Sequence, residues 1–207
     1  MNESAERRRH WDATYGARGP SGVSWYEPQP RISLELVQAL GVGPEIPVID
    51  IGGGASLLAD SLLERGFLDV TVLDLSAVAL EEVRKRLAGQ PVELVQADVL
   101  AWRPPRAYGL WHDRALFHFL VAEDERRRYL DRLREALPRG GCVIVGTFAP
   151  DAPPTCSGLP VTRYGAADLA LTLGPHFELV EARHVEHRTP RGTAQPFTWL
   201  AGRVRAH

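Results

Sequence analysis

The stretch VIDIGGGASLLADSLLERG, Val48–Gly66, decides the fold. Apolar β-branched residues flank an acid, Asp50. Three consecutive glycines follow, Gly52–Gly54, and an amphipathic pattern begins behind them. Such a chain leaves a strand, turns sharply and enters a helix. Glycine permits positive φ and close approach of the backbone to a neighbour. The helix start beyond it offers unpaired N–H groups. The segment reads as a strand–turn–helix corner that faces a ligand.

Outward from this corner the pattern alternates. Strands are expected at 46–51, 69–74, 92–96, 108–113 and 142–148, with helices at 56–65, 76–87 and 123–137. Apolar runs that alternate with helices imply a parallel sheet with right-handed crossovers. Helices at 4–16 and 31–40 precede it, separated by GARGPSG and the proline-flanked VSWYEPQP. A Pro-rich loop over 149–160 follows the last parallel strand, then a short helix near 166–173. Strands at 177–187 and 197–204, joined by TPRGTAQ, suggest a final hairpin on the sheet edge. The charged helix at 123–137 looks solvent-facing and favours a monomer.

The chain has 207 residues, enough for one domain with a substantial core. A net charge of −2 gives no global attraction to nucleic acid or to an anionic membrane. The short basic run Arg7–Arg9 reads as a solvated helix face. Cys142 and Cys156 form neither a CxxC motif nor a disulfide framework, which suits a reducing compartment. No signal-peptide core and no bilayer-length apolar run is visible. The expectation is a cytoplasmic protein without nucleic-acid or membrane partners.

In an open α/β sheet, ligands bind beyond the carboxyl ends of the strands. Gly52–Gly54 lie there. A dinucleotide fingerprint would want G-x-G-x-x-G, and Leu57 stands in its third position. Asp74 ends the second strand, 20 residues after Gly54, where a carboxylate can take both ribose hydroxyls. Asp98, in QADVL, follows the third strand, where an adenine amino group can be read. One Asp at a strand end is ordinary turn chemistry. Three at successive strand ends point to an adenosine site.

VIDIGGG, VLDLS, QADVL and LWHDRALFHFL together resemble the successive motifs of class I S-adenosylmethionine-dependent methyltransferases. The resemblance runs from about Trp11 to the C-terminus. It implies a single domain over 1–207, with 1–44 as an N-terminal helical lid. It also implies a Rossmann-like, seven-stranded, mostly parallel sheet with helices on both faces and a C-terminal antiparallel hairpin. By the same resemblance, Asp50, Gly52 and Gly54 meet the methionine end of the cofactor. Asp74 takes the ribose hydroxyls, Asp98 and Val99 border the adenine, and Leu75 is a further cofactor-binding residue. Asp113 lies near the cofactor's amino group or the acceptor. Trp25 and Tyr26 fold over the cofactor, or plug the N-terminal segment onto the core. The cofactor is then S-adenosyl-L-methionine and the product S-adenosyl-L-homocysteine.

The acceptor is less legible. His112-Asp113-Arg114-Ala115 stands where base-directed amino-methyltransferases carry Asn/Asp-Pro-Pro-aromatic. No carboxylate cluster for a metal-dependent enzyme can be assembled, so no metal is expected. DRALFHFLVAEDERRRY and the loop TFAPDAPPTCSGLPVTRY resemble thiopurine- and thiol-type S-methyltransferases. WDATYG and VSWYEP resemble a lysine-directed group that includes the citrate synthase enzymes. A small thiol or sulfide is the favoured acceptor, because a thiol ionises near neutral pH with little help. Protein lysine is the alternative, and a non-catalytic cofactor-binding module a third. His118 reads either as a helper that raises the thiolate fraction or as a histidine packed between aromatics. Arg114 orients the acceptor or pairs with Asp113. Cys156 is incidental, and Tyr164 and Arg163 sit near the same mouth.

Overall fold

The computed structural model describes residues 3–205. Two helices, α1 (Glu3–Arg18) and α2 (Arg31–Ala39), precede the sheet. Then β1 (Val48–Ile51), α3 (Leu58–Glu64), β2 (Val70–Asp74), α4 (Ala77–Arg86), β3 (Val92–Gln96) and β4 (Leu110–Arg114) follow. A 3-10 turn at Phe117–Phe119, α5 (Glu123–Ala136) and β5 (Cys142–Phe148) complete the parallel part. A small hairpin, β6 (Thr155–Cys156) and β7 (Leu159–Pro160), leads to α6 (Ala166–Leu173) and the long hairpin β8 (Phe177–Arg188) and β9 (Ala194–Val204).

The seven-stranded sheet has the order β3-β2-β1-β4-β5-β9-β8. β1 to β5 are parallel, while β9 enters antiparallel beside β5 and carries β8 on the edge. The chain leaves β1 toward β2 on one side and returns to β4 on the other. The cleft therefore opens at the carboxyl ends of β1 and β4. Every residue of β1, β2 and β5 is buried, as expected of strands covered on both faces. One apolar layer joins the sheet to α2, α3 and α4 through Leu36, Leu58, Leu62 and Val83. The other joins it to α5 and α6 through Tyr129, Leu133, Leu169 and Leu173.

Two element starts differ from expectation for local reasons. β1 begins at Val48 because Pro47 has no N–H to give a ladder; its carbonyl accepts from Gly109 and Leu110 instead. α3 begins at Leu58 because Gly53–Ser56 closes a turn, and Ser56 Oγ then accepts from the Leu58 N–H at 3.1 Å. α5 is not a solvated rod. Glu125, Tyr129, Leu130, Leu133 and Ala136 form a buried stripe on it. The hairpin β6–β7 was not expected. Ser157 and Gly158, at φ 50° and 78°, turn it in the left-handed region that two-residue hairpins require.

Candidate active site

A cavity of about 540 Å³ lies over the carboxyl ends of β1 to β4. Gly52, Asp74, Leu75, Asp98 and Val99 form its floor, and α1 roofs it with Arg7, His10, Trp11 and Tyr15. Trp25, Leu116, Phe119, Leu159 and Pro160 close the far side. A smaller void of about 30 Å³ continues from it past Trp25 and Tyr26, and is lined by Asp50, Gly53, His112 and Arg114. The fold thus brings together the expected Trp25, Tyr26, Asp50, Gly52, Asp74, Leu75, Asp98 and Val99.

Asp74 ends β2 with its carboxylate buried. Oδ1 accepts from the Ser76 N–H at 2.7 Å, and the Gly54 and Leu75 N–H groups also serve it. Burial outweighs these donors, and the nearby Asp50 adds to it, so the carboxyl is pushed up to about 6. Further donors, such as two hydroxyls, would relieve this group. Asp98 turns the chain after β3 by accepting from the Leu100 N–H at 3.0 Å. Its other oxygen stands 3.7 Å from Arg7.

The glycine corner is tight for a visible reason. Gly54 has φ 54°, and a Cβ there would stand 2.1 Å from the Tyr15 hydroxyl. A Cβ on Gly52 would meet Leu116 at 2.5 Å. Tyr15 reaches down from α1, and its hydroxyl accepts from Trp25 Nε1 at 3.2 Å and from the Ala55 N–H. Burial and the charge of Asp74 hold this phenol well above its usual range, so it stays protonated.

Asp50 and His112 are direct neighbours across β1 and β4. His112 Nδ1 lies 2.7 Å from Asp50 Oδ1, and its Nε2 lies 2.9 Å from Ser33 Oγ on α2. Arg114 shares the face of His112. It donates to the Trp25 carbonyl at 2.7 Å and meets Glu27 Oε1 at 3.1 Å. His187 on β8 joins the cluster and bonds the Ser24 carbonyl through Nε2 at 2.7 Å. Burial raises Glu27, but His187 and Arg114 more than offset it and hold the carboxyl low. The segment carrying Trp25 and Tyr26 is therefore pinned at Ser24, Trp25 and Glu27. Burial lowers the Arg114 guanidinium from its usual value, and its Nε has no partner.

Three expectations change. Arg114 pairs with Glu27, not with Asp113, because alternation along β4 sends the two side chains to opposite faces. Asp113 is sealed beneath the cavity, toward α5. It accepts from Tyr129 Oη at 2.6 Å and from the N–H groups of Leu116 and Phe117 at 3.1 and 3.3 Å. Burial pushes it up to about 6 despite these donors. It shapes the turn that seats Leu116 on Gly52, rather than meeting a cofactor. His118 does not line the cavity. It is fully buried between Phe119 and Phe148, and its Nδ1 accepts from the Phe148 N–H at 3.2 Å. Burial, with the charge of Arg114, pulls it down to about 3. A neutral, packed ring results, and the thiolate-raising role finds no support in these surroundings.

The resemblance implies an N-terminal helical lid over 1–44 but not which residues of α1 line the cavity. Arg7 donates to Glu125 at 2.6 Å, and Asp12 accepts from Ser76 Oγ at 2.7 Å at the start of α4. Trp11 packs edge-on against Trp25 and Phe119, with centroids at 5.7 and 5.0 Å. Arg7, Trp11 and Tyr15 recur at four-residue intervals, a stripe that was available in the sequence. Only Arg8 and Arg9 of the basic run are exposed. Cys156 is buried and pushed up to about 11 by that burial, which leaves it an unreactive thiol. Among the described residues no group of His, Cys, Asp and Glu is placed to hold a metal, and no helix is long and apolar enough to cross a membrane.

Residues 48–141 match the family profile described as a methyltransferase domain. A comparison with curated proteins gives no match. The fold is similar to that of an S-adenosylmethionine-dependent methyltransferase from Anabaena variabilis, with a TM-score of 0.77 at 19% identity, covering 99% of this chain and 96% of that one. It is also similar to a structure described for the conversion of a disulfide bond into a thioacetal group during echinomycin biosynthesis, at TM-score 0.74 and 20% identity over 96% and 91% of the two chains. A third is Burkholderia thailandensis 1,6-didemethyltoxoflavin-N1-methyltransferase with bound S-adenosylhomocysteine, at TM-score 0.72 and 19% identity over 100% and 92%. At these identities the likeness is one of fold. The domain match spans the glycine corner and the acids at the ends of the first three strands, so residues 48–141 form a methyltransferase domain, and the chain as a whole has the fold of S-adenosylmethionine-dependent methyltransferases.

Proposed function

We propose that this enzyme methylates a small, soft nucleophile, a thiol or sulfide, within the roofed cavity. The observation that carries this reading is the make-up of the cavity's far end. Trp11, Leu116, Phe119, Leu159 and Pro160 offer apolar surface there. Asp113 and His118, the acid and the imidazole nearest in sequence, are both withdrawn into the wall. A thiolate needs no base at the moment of transfer, and Arg7 and Arg114, which line the same cavity, offset the cost of bringing an anion against its apolar walls. The structure described for thioacetal formation from a disulfide shares this fold and acts at sulfur.

S-adenosylmethionine, when bound, supplies a methyl group on a sulfonium, already activated for in-line displacement. The residues of this chain fit that group. Asp74 would accept from the ribose hydroxyls, while Asp98 and Val99 would border the adenine and Leu75 would line the same cofactor site. Gly52–Gly54, with no side chains, let the cofactor lie against the backbone. Asp50 and Arg114 face the amino-acid end with opposite charges. Trp11 and Trp25 present aromatic surface, and a cation near it gains roughly 0.5–2 kcal/mol. α1 and Trp25 would exclude water and help align an acceptor with the cofactor, and such alignment can lower a barrier by several kcal/mol. The enzyme as proposed works in the cytoplasm with Gly54, Tyr26 and the α1 roof completing the cofactor site.

The test uses methyl-tritiated S-adenosylmethionine with a panel of small thiols and sulfide and, separately, a cell lysate. Label in the volatile or small-molecule fraction that depends on added thiol supports the proposal. Label in a discrete protein band overturns it in favour of lysine.

A further inference from the structure

Asp50, His112 and Ser33 form a hydrogen-bonded chain that no part of methyl transfer requires. Their order, acid to imidazole to hydroxyl, is that of a nucleophile triad. Their exposure argues otherwise: Ser33 is 1%, His112 2% and Asp50 3% accessible. The hydroxyl sits in the first turn of α2, inside the core, where an acyl substrate has no way in. The chain must do something else.

Its geometry directs one carboxylate oxygen. A carboxylate opposite Nδ1 makes that nitrogen the donor, and Ser33 Oγ holds the ring at Nε2. Asp50 Oδ1 is thereby occupied by His112. Oδ2 points over the bare glycine turn: a Cβ on Gly53 would stand 2.5 Å from it. The void of about 30 Å³ beside it has room for one water-sized group. Arg114, with its unpartnered Nε, lines the same void. A carboxylate beside so small a space suits the ammonium of an α-amino acid, whose carboxylate would lie toward the large cavity that Arg114 also lines.

Stability alone is a weak reason for this chain. Buried hydrogen-bonded polar groups hold a fold no better than apolar residues of the same shape. What the chain adds is orientation, since a ring held at both nitrogens cannot rotate. We propose that His112, braced by Ser33, is a positioning residue that aims Asp50 Oδ2 at the α-ammonium of S-adenosylmethionine. The inference rests on the cofactor reading above.

The test compares two ligands by calorimetry: S-adenosylhomocysteine, and 5′-methylthioadenosine, which keeps the adenosine and drops the amino-acid end. His112→Leu is expected to weaken S-adenosylhomocysteine about tenfold or more and to leave 5′-methylthioadenosine unchanged. His112→Asn, which restores a donor near the Nδ1 position, is expected to recover most of the loss. Ser33→Ala is expected to fall between, and it carries the same comparison should His112→Leu fail to fold. Equal weakening of both ligands would make His112 a packing residue and overturn the proposal, as would unchanged binding of S-adenosylhomocysteine. If the unsubstituted protein binds neither ligand, the cofactor reading itself fails and the positioning role falls with it.

Discussion

Asp74 is the residue whose chemistry is most exposed to test. Its carboxyl titrates near 6 in the folded chain, against about 3.9 in an unfolded one. The folded state therefore holds the extra proton between these values, and the unliganded protein loses stability as pH rises through that window. Ribose hydroxyls need the ionised form. S-adenosylhomocysteine affinity should accordingly fall as pH drops below about 6, and calorimetry in buffers of different ionisation enthalpy should show proton release on binding. Asp74→Ala should weaken binding by roughly 1.5–3 kcal/mol at neutral pH. Affinity equal to the parent's would remove Asp74 from the ribose. His118 predicts the opposite split. His118→Ala should lower stability by about 1–3 kcal/mol, since the buried Phe148 N–H loses its acceptor. Turnover per folded molecule should hold, and a selective fall in kcat would return His118 to the reaction.

At the scale of elements, the informative pair is α1 and the glycine corner it touches. Tyr15 descends from α1 onto Gly54, so the roof meets the glycine corner through its hydroxyl. Gly54→Ala places a Cβ against the Tyr15 hydroxyl and forces a left-handed alanine, a backbone cost of about 1–2 kcal/mol. It should abolish most cofactor affinity while the far-UV dichroism stays that of the parent. The other end of α1 is held by Arg7 on Glu125 and Asp98. Arg7 is partly exposed while Glu125 is buried and keeps the Ala122 N–H as a second donor, so the pairing contributes about 1 kcal/mol. Arg7→Ala should speed amide exchange in α1 alone and leave the melting temperature nearly unchanged. Faster exchange throughout the sheet would mean that α1 is part of the core rather than a roof.

At the scale of the whole molecule, ligand linkage separates the cofactor classes. S-adenosylhomocysteine at a hundred times its Kd should add about 2.7 kcal/mol, a rise of roughly 5–10 °C in melting temperature for a chain of this size. NAD should give none, because Leu57 fills the place of the third dinucleotide glycine. The edge hairpin also belongs to this scale. β8 lies at the rim of the sheet, yet His187 on it reaches Ser24 and Glu27 near the cavity. Residues 163 positions apart in the chain thus share one support of the Trp25 segment.

The sequence by itself determined the order of elements, the parallel sheet, the corner at Gly52–Gly54 and the acids at the ends of β1, β2 and β3. These are local properties. Periodicity reports which face is buried, and glycine runs and strand-end acids report where a turn must be. Only the tertiary structure decided what each polar side chain of β4 touches. A two-residue period says that His112 and Arg114 share one face and Asp113 takes the other, but not which face looks into the cleft. That depends on the neighbours across β1 and β5 and on the helices packed above them. The contacts of the roof, though not its existence, were hidden for a similar reason. Arg7, Trp11 and Tyr15 stand on an ordinary amphipathic stripe, and their partners Glu125, Trp25 and Gly54 lie far along the chain. Residues that act on one another across such distances leave no spacing to read. Folding alone brings them within reach.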